Sequence, residues 1–405
     1  MIKIAVLGYG TVGSGVVEVI ETNKTSIQDR IGDTLDIKYV LDLRDFPGTP
    51  VEHLIVHDFE QIVNDEEIDI VVEVMGGVEP AYTFVKRCLL AGKSVATSNK
   101  ALVAAHGAEL LAIAQEKNIN FLFEASVGGG IPIIRPLNSS LSADVIEEIT
   151  GILNGTTNYM MTKMYNEGAD YDAVLKEAQA HGYAERDPSA DVEGWDACRK
   201  IAILSSLISG KTVDFEDIYT EGITHLTTKD VQYAKALNKK IKLLATCRRD
   251  GDTLNAIVAP YMLSASHPLY SVDDVFNAIF VKGNVLGDAM FYGSGAGKLP
   301  TASAVVADVV EAAKNLNRSM MLTWSSEKLQ LADKNDTKQS FFVRIKGAID
   351  SLEAELKEVF GPVSFVVPDG ETEEFGFITE IMTEGQFGEC KEKFPQICQV
   401  IRVQD

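Results

Sequence analysis

The chain has 405 residues, 46% hydrophobic and 24% charged, which is enough for two or three domains with their own cores. Its formal net charge of -22 excludes nucleic acid and anionic membrane as expected partners, since both need a basic surface. The five cysteines form no C-x-x-C pair, so neither a disulfide framework nor a zinc site is expected. With no signal peptide and no apolar run long enough to span a bilayer, the cytoplasm is the expected compartment.

Ile2 to Leu7 is a β-branched apolar run that breaks at Gly8, and a helical pattern follows through about Thr22. Further strands are expected near Ile37 to Leu41, Ile68 to Val74, Ser94 to Ala96 and Asn120 to Glu124. Helices fall between them, at Ala81 to Ala91 and after Lys100. This alternation predicts an α/β fold: a Rossmann-type, doubly wound parallel sheet over residues 1–136. A second, α+β domain is expected over 137–300. Its strands are Ile146 to Ile152, Thr253 to Pro260 and Phe276 to Val281, and its helices Thr156 to Glu167, Tyr171 to His181 and Asp196 to Ser209. Gly293 to Gly297 reads as a turn, and the helix from Thr301 to Asn315, within 301–318, is expected to return to the first domain.

Residues 319–339 read as a linker, polar from Leu331 to Gln339. Beyond it, strands at Ser340 to Lys346, Val363 to Val367, Phe375 to Met382 and Ile397 to Val403 alternate with helices at Asp350 to Phe360 and near Gly388 to Lys393. That β-α-β-β-α-β order over 340–405 predicts a ferredoxin-like module.

Gly8-Tyr9-Gly10-Thr11-Val12-Gly13 follows a strand and opens a helix, the context of a dinucleotide-binding turn. Gly8 permits the tight turn, Gly10 admits a pyrophosphate, Gly13 allows close helix–strand packing, and the helix N-terminus faces the phosphates. Asp42, ending the second strand, is the candidate for the adenosine ribose hydroxyls and favours NAD; Arg44 is placed to bind the extra phosphate of NADP instead. The alternative for Asp42 is an exposed turn residue. Thr97-Ser98-Asn99-Lys100 ends the fourth strand, where open α/β sheets bind ligands, although a lysine there also fits the start of a surface helix. Glu124-Ala125-Ser126-Val127-Gly128-Gly129-Gly130-Ile131-Pro132 reads either as an oxygen cage for a hard cation or as a connection between domains. The side chains of Asn154 to Asn158 are suited to a small polar substrate or to capping the helix that follows.

Gly182 to Lys200 is the most informative stretch. It sets carboxylates at Glu185, Asp187, Asp191, Glu193 and Asp196 ahead of Lys200, and Asp196 and Lys200 share one helix face. Such a pair is usually a solvated salt bridge, but this one opens the apolar run Ile201 to Leu204, where charges are costly unless they serve a function.

In this order, these motifs and Gly295 to Val305 resemble homoserine dehydrogenases over roughly residues 1 to 320. The resemblance implies interconversion of L-homoserine and L-aspartate 4-semialdehyde with NAD or NADP, in threonine, methionine and isoleucine biosynthesis. It makes Lys200 the acid/base residue with Lys100 assisting, and Glu185 and Asp196 the substrate-binding carboxylates. Thr97, Ser98, Lys100, Gly182, Glu185 and Gly297 join Gly8 to Gly13, Asp42 and Arg44 as cofactor-binding residues. Glu124 with the backbone of Val127, Gly129 and Ile131 would bind a structural sodium ion. Residues 137–300 become the catalytic and dimerisation domain, and a homodimer or dimer of dimers is expected.

Two departures stand out. Many members carry an arginine near the Asp42 position. The C-terminal unit resembles an ACT regulatory domain, with threonine the expected effector, but the usual turn before its first helix is replaced by Lys346-Gly347-Ala348-Ile349-Asp350-Ser351-Leu352. The competing readings are another amino- or oxo-acid dehydrogenase, or a silent dinucleotide sensor. Neither requires Glu185, Asp196 and Lys200 together.

Overall fold

Ile2–Leu7 forms β1, whose alternate side chains pack on both faces of a six-stranded sheet, as a buried parallel strand requires. Along the chain follow α1 (Thr11–Thr22), α2 (Lys24–Ile31), β2 (Leu35–Leu41), β3 (Ile55–Val56), α3 (Glu60–Val63) and β4 (Ile70–Glu73). Then come α4 (Ala81–Leu90), β5 (Ser94–Thr97), α5 (Lys100–Lys117) and β6 (Phe121–Leu122). The sheet order is β3-β2-β1-β4-β5-β6 and every pair is parallel. The strand order reverses between β1 and β4, which sets the ligand crevice at their carboxyl ends.

The computed structural model describes residues 1–321 and 323–405. Beyond β6 it contains β7 (Ile146–Ile152), α6 (Gly155–Glu167), α7 (Tyr171–Ala180), α8 (Ser189–Val192), α9 (Trp195–Ser209), β8 (Lys211–Thr212), β9 (Tyr219–Thr220) and α10 (Thr228–Ala236). β10 (Lys239–Asp250), β11 (Thr253–Ser264), β12 (Phe276–Gly283), β13 (Gly287–Ser294), α11 (Lys298–Lys314) and β14 (Ser325–Lys328) follow. The chain continues through β15 (Lys338–Lys346), α12 (Ile349–Phe360), β16 (Val363–Val366), β17 (Glu374–Thr379), β18 (Met382–Thr383), α13 (Glu384–Lys391) and β19 (Ile397–Gln404). Among the described residues no helix is long and apolar enough to cross a membrane.

Two units emerge. The first comprises Met1–Val145, Ala202–Phe215 and Phe291–Leu329, and the second the remainder. In the first unit α11 lies on α1, so close that a Cβ at Gly15 would sit 2.8 Å from the Lys298 carbonyl oxygen. The second unit holds a sheet of order β13-β12-β7-β10-β11-β19-β15-β17-β16. Its last four strands are mutually antiparallel, with β15 and β17 central and β16 and β19 outside, the split β-α-β arrangement expected of a ferredoxin-like module. Phenylalanines fill the core of that module, with Phe341 and Phe387 stacked at 4.0 Å. β19 pairs in parallel with β11 over Arg402–Gln404, so the module's sheet continues the sheet that carries β7.

Several elements depart from the sequence expectation. The connection from Asn23 to Thr34 contains a helix, α2, that was not anticipated, closed by Gly32 in the left-handed region. α10 and the 12-residue β10 were not anticipated, because Lys239, Lys240 and Lys242 interrupt β10's apolar pattern. Two of those lysines are nevertheless buried: Lys239 pairs with Asp405, and Lys242 with Asp273. β13 occupies the stretch up to Ser294, leaving only Gly295 to Gly297 as the turn. Within residues 319–339, ahead of the polar stretch from Leu331, β14 pairs with β8. β6 is shorter than Asn120 to Glu124; from Glu124 to Ser126 the chain makes a single 3-10 turn.

Candidate active site

In the first unit the glycine turn takes the form its sequence requires. Gly8 has φ +100, and a Cβ on Gly13 would lie 1.9 Å from the Gly8 carbonyl oxygen, so only glycine fits there. A Cβ on Gly10 would meet nothing within 4 Å. At the N-terminus of α1, Gly10 offers no side-chain cap and the first turn of Thr11, Val12 and Gly13 holds no acid. Among the described residues no side chain caps the N–H groups of this turn, the kind of helix start at which anions bind.

Asp42 lies just beyond β2. Its Oδ2 accepts the Tyr9 amide N–H at 2.9 Å, and its carboxylate pairs with Arg44 at 3.0 and 3.2 Å. Burial opposes the charge, but the Arg44 guanidinium and the amide N–H groups of Tyr9 and Arg44 hold Asp42 down to about 2. Arg44 also lies over the Phe46 ring, 5.0 Å from its centroid. Asp42 and Arg44 are thus joined in a clasp at the end of β2.

Lys100 is the first residue of α5, behind Asn99, whose Oδ1 caps the helix by accepting Leu102 N–H at 3.1 Å. A cation at a helix N-terminus opposes the dipole, so Lys100 does not stabilise the start of α5. Ser98 is half-buried. Thr97 is fully buried and its hydroxyl turns inward to Glu73 at 2.6 Å. Glu73, a buried carboxylate at the end of β4, had not been singled out; the lone acid in Ile70-Val71-Val72-Glu73-Val74 was the available signal.

The glycine loop is buried from Glu124 to Gly129. The Glu124 carboxylate accepts the N–H groups of Ile133, Ile134 and Arg135 at 2.5, 2.8 and 2.8 Å, while Asp308 of α11 accepts its amide N–H at 2.8 Å and pairs with Arg135 at 2.6 Å. The Glu124 side chain is therefore committed to the backbone, and its carbonyl, the one oxygen left to face a cation, also accepts the Val127 N–H at 3.4 Å. Val127, Gly129 and Ile131 are buried, and among the described residues no hydrogen bond reaches their carbonyl oxygens. Buried carbonyls without donors suit a hard cation. A Cβ on Gly129 would lie 2.3 Å from the Gly295 carbonyl oxygen, so the loop's path depends on that glycine. Gly297, exposed at φ +119, directly precedes α11.

In the second unit Asp196 and Lys200 occupy the first turns of α9, with side chains only 7% and 10% exposed. The Lys200 ammonium donates to Asp196 Oδ2 and to the Leu153 carbonyl, both at 2.7 Å. Asn154 completes the cluster. Its Nδ2 donates to Asp196 at 2.8 Å and Asp191 at 2.7 Å, while its Oδ1 caps α6 by accepting Thr157 N–H at 2.8 Å. Of the two uses expected of this loop the cap is met, while the side-chain amide is taken by Asp191 and Asp196. Glu185 and Gly182 are exposed on the segment after α7, and Glu185 takes no part in the Asp196–Lys200 cluster among the described residues. The module that ends the chain borders a cavity of about 700 Å³ lined by Tyr219, Glu221, Lys334, Glu384 and Arg402 among others. There Arg402 pairs with Glu384 and Glu221, each at 2.7 Å.

Comparison with known proteins shows the family. The family described as the homoserine dehydrogenase NAD-binding domain matches residues 8–124, and the homoserine dehydrogenase family matches residues 132–310. The homoserine dehydrogenase of Bacillus subtilis is 44% identical over 320 residues, covering 78% of this chain and 73% of its own. A homoserine dehydrogenase structure from Thiobacillus denitrificans superposes over all of this chain and 98% of its own with TM-score 0.91 at 34% identity. A hyperthermophilic archaeal homoserine dehydrogenase in complex with NADPH matches 78% of this chain and 99% of its own with TM-score 0.67 at 29% identity. The chain belongs to the homoserine dehydrogenase family, NAD(P)-dependent oxidoreductases that act on the CH–OH group of homoserine.

Proposed function

We propose that Lys200 carries the proton in this reaction and that Asp196 and Glu185 hold the substrate. The observation that supports it is the buried Asp196–Lys200 pair, fixed by Asn154 and the Leu153 carbonyl. An ion pair excluded from water at a helix start is expensive to maintain for stability alone. In aldehyde reduction the Lys200 ammonium donates its proton to the carbonyl oxygen as that oxygen becomes hydroxyl. In homoserine oxidation the neutral amine takes the hydroxyl proton. When bound, the nicotinamide cofactor exchanges the hydride with the carbinol carbon. Asp196 holds the polar end of homoserine and keeps Lys200 aimed. Glu185, exposed, receives the substrate ammonium, and Gly182 borders the cofactor. Lys100 assists at the reacting oxygen.

On the cofactor side Gly8 to Gly13 cradle the pyrophosphate, Ser98, Lys100 and Gly297 line the nicotinamide half, and Asp42 favours NAD while Arg44 serves NADP. The carbonyls of Glu124, Val127, Gly129 and Ile131 hold a sodium ion, which would fix the loop they lie on. Residues 340–405 act as an ACT-like regulatory module whose effector is threonine, and the enzyme works as a cytoplasmic homodimer in threonine, methionine and isoleucine biosynthesis. Titration of the full chain with threonine by calorimetry checks the effector: heat of binding supports it, and none at millimolar threonine removes it.

The primary test is the initial rate of L-homoserine oxidation by wild type and Lys200→Ala, with NAD and NADP compared. Wild-type turnover that collapses in the variant while NADH still binds supports the assignment. Turnover surviving in Lys200→Ala transfers the proton step to Lys100 or water.

A further inference from the structure

Glu73 ends β4 and has no exposed surface. The neighbouring positions Ile70, Val71 and Val72 are equally buried and apolar, so packing alone would be served by a hydrophobic residue. Its carboxylate instead joins two loops. Oε1 accepts the Met75 amide N–H at 2.8 Å, and Oε2 accepts the Thr97 hydroxyl at 2.6 Å. Thr97 Oγ1 accepts the Asn99 amide N–H at 2.9 Å, and Asn99 Nδ2 donates to the Gly77 carbonyl at 2.6 Å. Glu73, Thr97 and Asn99 therefore close a ring of bonds from the loop after β4 to the loop after β5 and back.

Both loops leave the carboxyl ends of adjacent parallel strands, and β4 is also the neighbour of β1, which feeds the glycine turn. This is the end of an open α/β sheet at which ligands bind. The second loop passes through Ser98 and ends on Lys100. Thr97, which ends β5 where that loop begins, has no surface with which to touch a ligand.

We infer that Glu73 is a positioning residue for the nicotinamide cofactor: through Thr97 and Asn99 it locks the 75–77 and 97–100 loops to each other and so aims Ser98 and Lys100. The inference rests on the reading that Ser98 and Lys100 face the cofactor. Burial raises the Glu73 carboxyl above its ordinary value while its Thr97 and Met75 bonds oppose that shift.

The test uses Glu73→Gln, Thr97→Val and Lys100→Ala in the full chain. For each, the NADH dissociation constant is measured by fluorescence, with kcat, the homoserine KM and the thermal midpoint. Glu73→Gln keeps the volume but replaces one acceptor with a donor, so either Met75 N–H or the Thr97 hydroxyl loses its partner. The expected result is an NADH dissociation constant raised about tenfold and kcat lowered about 100-fold, as for a misaimed reacting group. The homoserine KM should stay within about twofold. Thr97→Val should change the same quantities in the same direction, and the double variant should be no worse than Glu73→Gln, because both cut one chain of bonds.

If Lys100→Ala impairs cofactor binding or turnover but Glu73→Gln and Thr97→Val do not, the inference is wrong and the reading beneath it stands. A lowered thermal midpoint with unchanged kcat and NADH affinity also overturns it, leaving Glu73 a structural residue. If Lys100→Ala is silent as well, the cofactor role of the loop falls and takes the inference with it. Should Glu73→Gln fail to fold, Thr97→Val decides.

Discussion

The two units hold their functional charges in opposite ways. At the rim of the first unit's sheet, Asp42 pairs with Arg44, whose side chain is 64% exposed. At the start of α9 in the second unit, Asp196 pairs with Lys200, and both side chains are almost fully enclosed. A pair with an exposed partner contributes at most about 1 kcal/mol, so a ligand can open it cheaply. Breaking a buried pair costs about 3–5 kcal/mol, because the remaining charge is left without a partner. On the proposed roles of these residues, choice of cofactor is the adjustable property and the geometry of proton transfer the rigid one.

The contrast is tested hardest at its rigid end. Lys200→Ala should lower kcat by about 10²- to 10⁴-fold, the usual worth of general acid–base catalysis, with NADH affinity measured by fluorescence unchanged. Asp196→Asn should lower kcat/KM for homoserine by the equivalent of about 2–5 kcal/mol, since the variant leaves Lys200 buried beside a neutral amide. Its NADH affinity should match wild type. An unaltered homoserine KM in Asp196→Asn would take Asp196 out of the substrate site and leave it a support for Lys200.

How much of this was legible in the sequence depended on the range of the interactions involved. Strand, glycine turn and helix over Ile2 to Thr22 are local, and both the period of the apolar residues and the Gly8/Gly13 approach could be read directly. The Asp196–Lys200 spacing was equally local. That Asn154, 42 residues earlier, holds Asp196 could not be read, because its loop offered only a polar run with two uses. β10 escaped for the opposite reason. Its lysines look solvated in sequence, and only long-range partners such as Asp273 and Asp405 make their burial tolerable. Glu73 shows the same limit, since the fact that matters is the distance to Thr97 across two strands.

Between the rigid and adjustable ends lies the glycine loop, where backbone replaces side chains. If the Glu124, Val127, Gly129 and Ile131 carbonyls hold sodium, exchange from sodium into choline chloride at equal ionic strength should lower the thermal midpoint by about 2–4 °C. Restoring millimolar sodium should bring it back. Gly129→Ala, strained at φ +57 and pressed on Gly295, should lose the response along with stability. Equal midpoints in sodium and choline for the wild type would make the loop a connection held by Glu124 and Asp308 alone.

The smallest effect is expected at the clasp. Asp42→Ala removes the carboxylate that repels a 2′-phosphate and releases Arg44 to bind it, so the NADP-to-NAD ratio of kcat/KM should rise by about fivefold, the worth of a partly exposed pair. Lys200 and Asp196 are untouched, so kcat at saturating cofactor should hold. Because Arg44 and Tyr9 keep Asp42 down to about 2, the stability it contributes is complete above the ordinary aspartate value of 3.8 and is lost only as pH falls through about 2. The difference in stability between wild type and Asp42→Ala should therefore be constant from pH 5 upward as far as Asp42 determines it. A ratio that does not move in Asp42→Ala would mean that the ribose is read elsewhere, and that the clasp is only a surface ion pair.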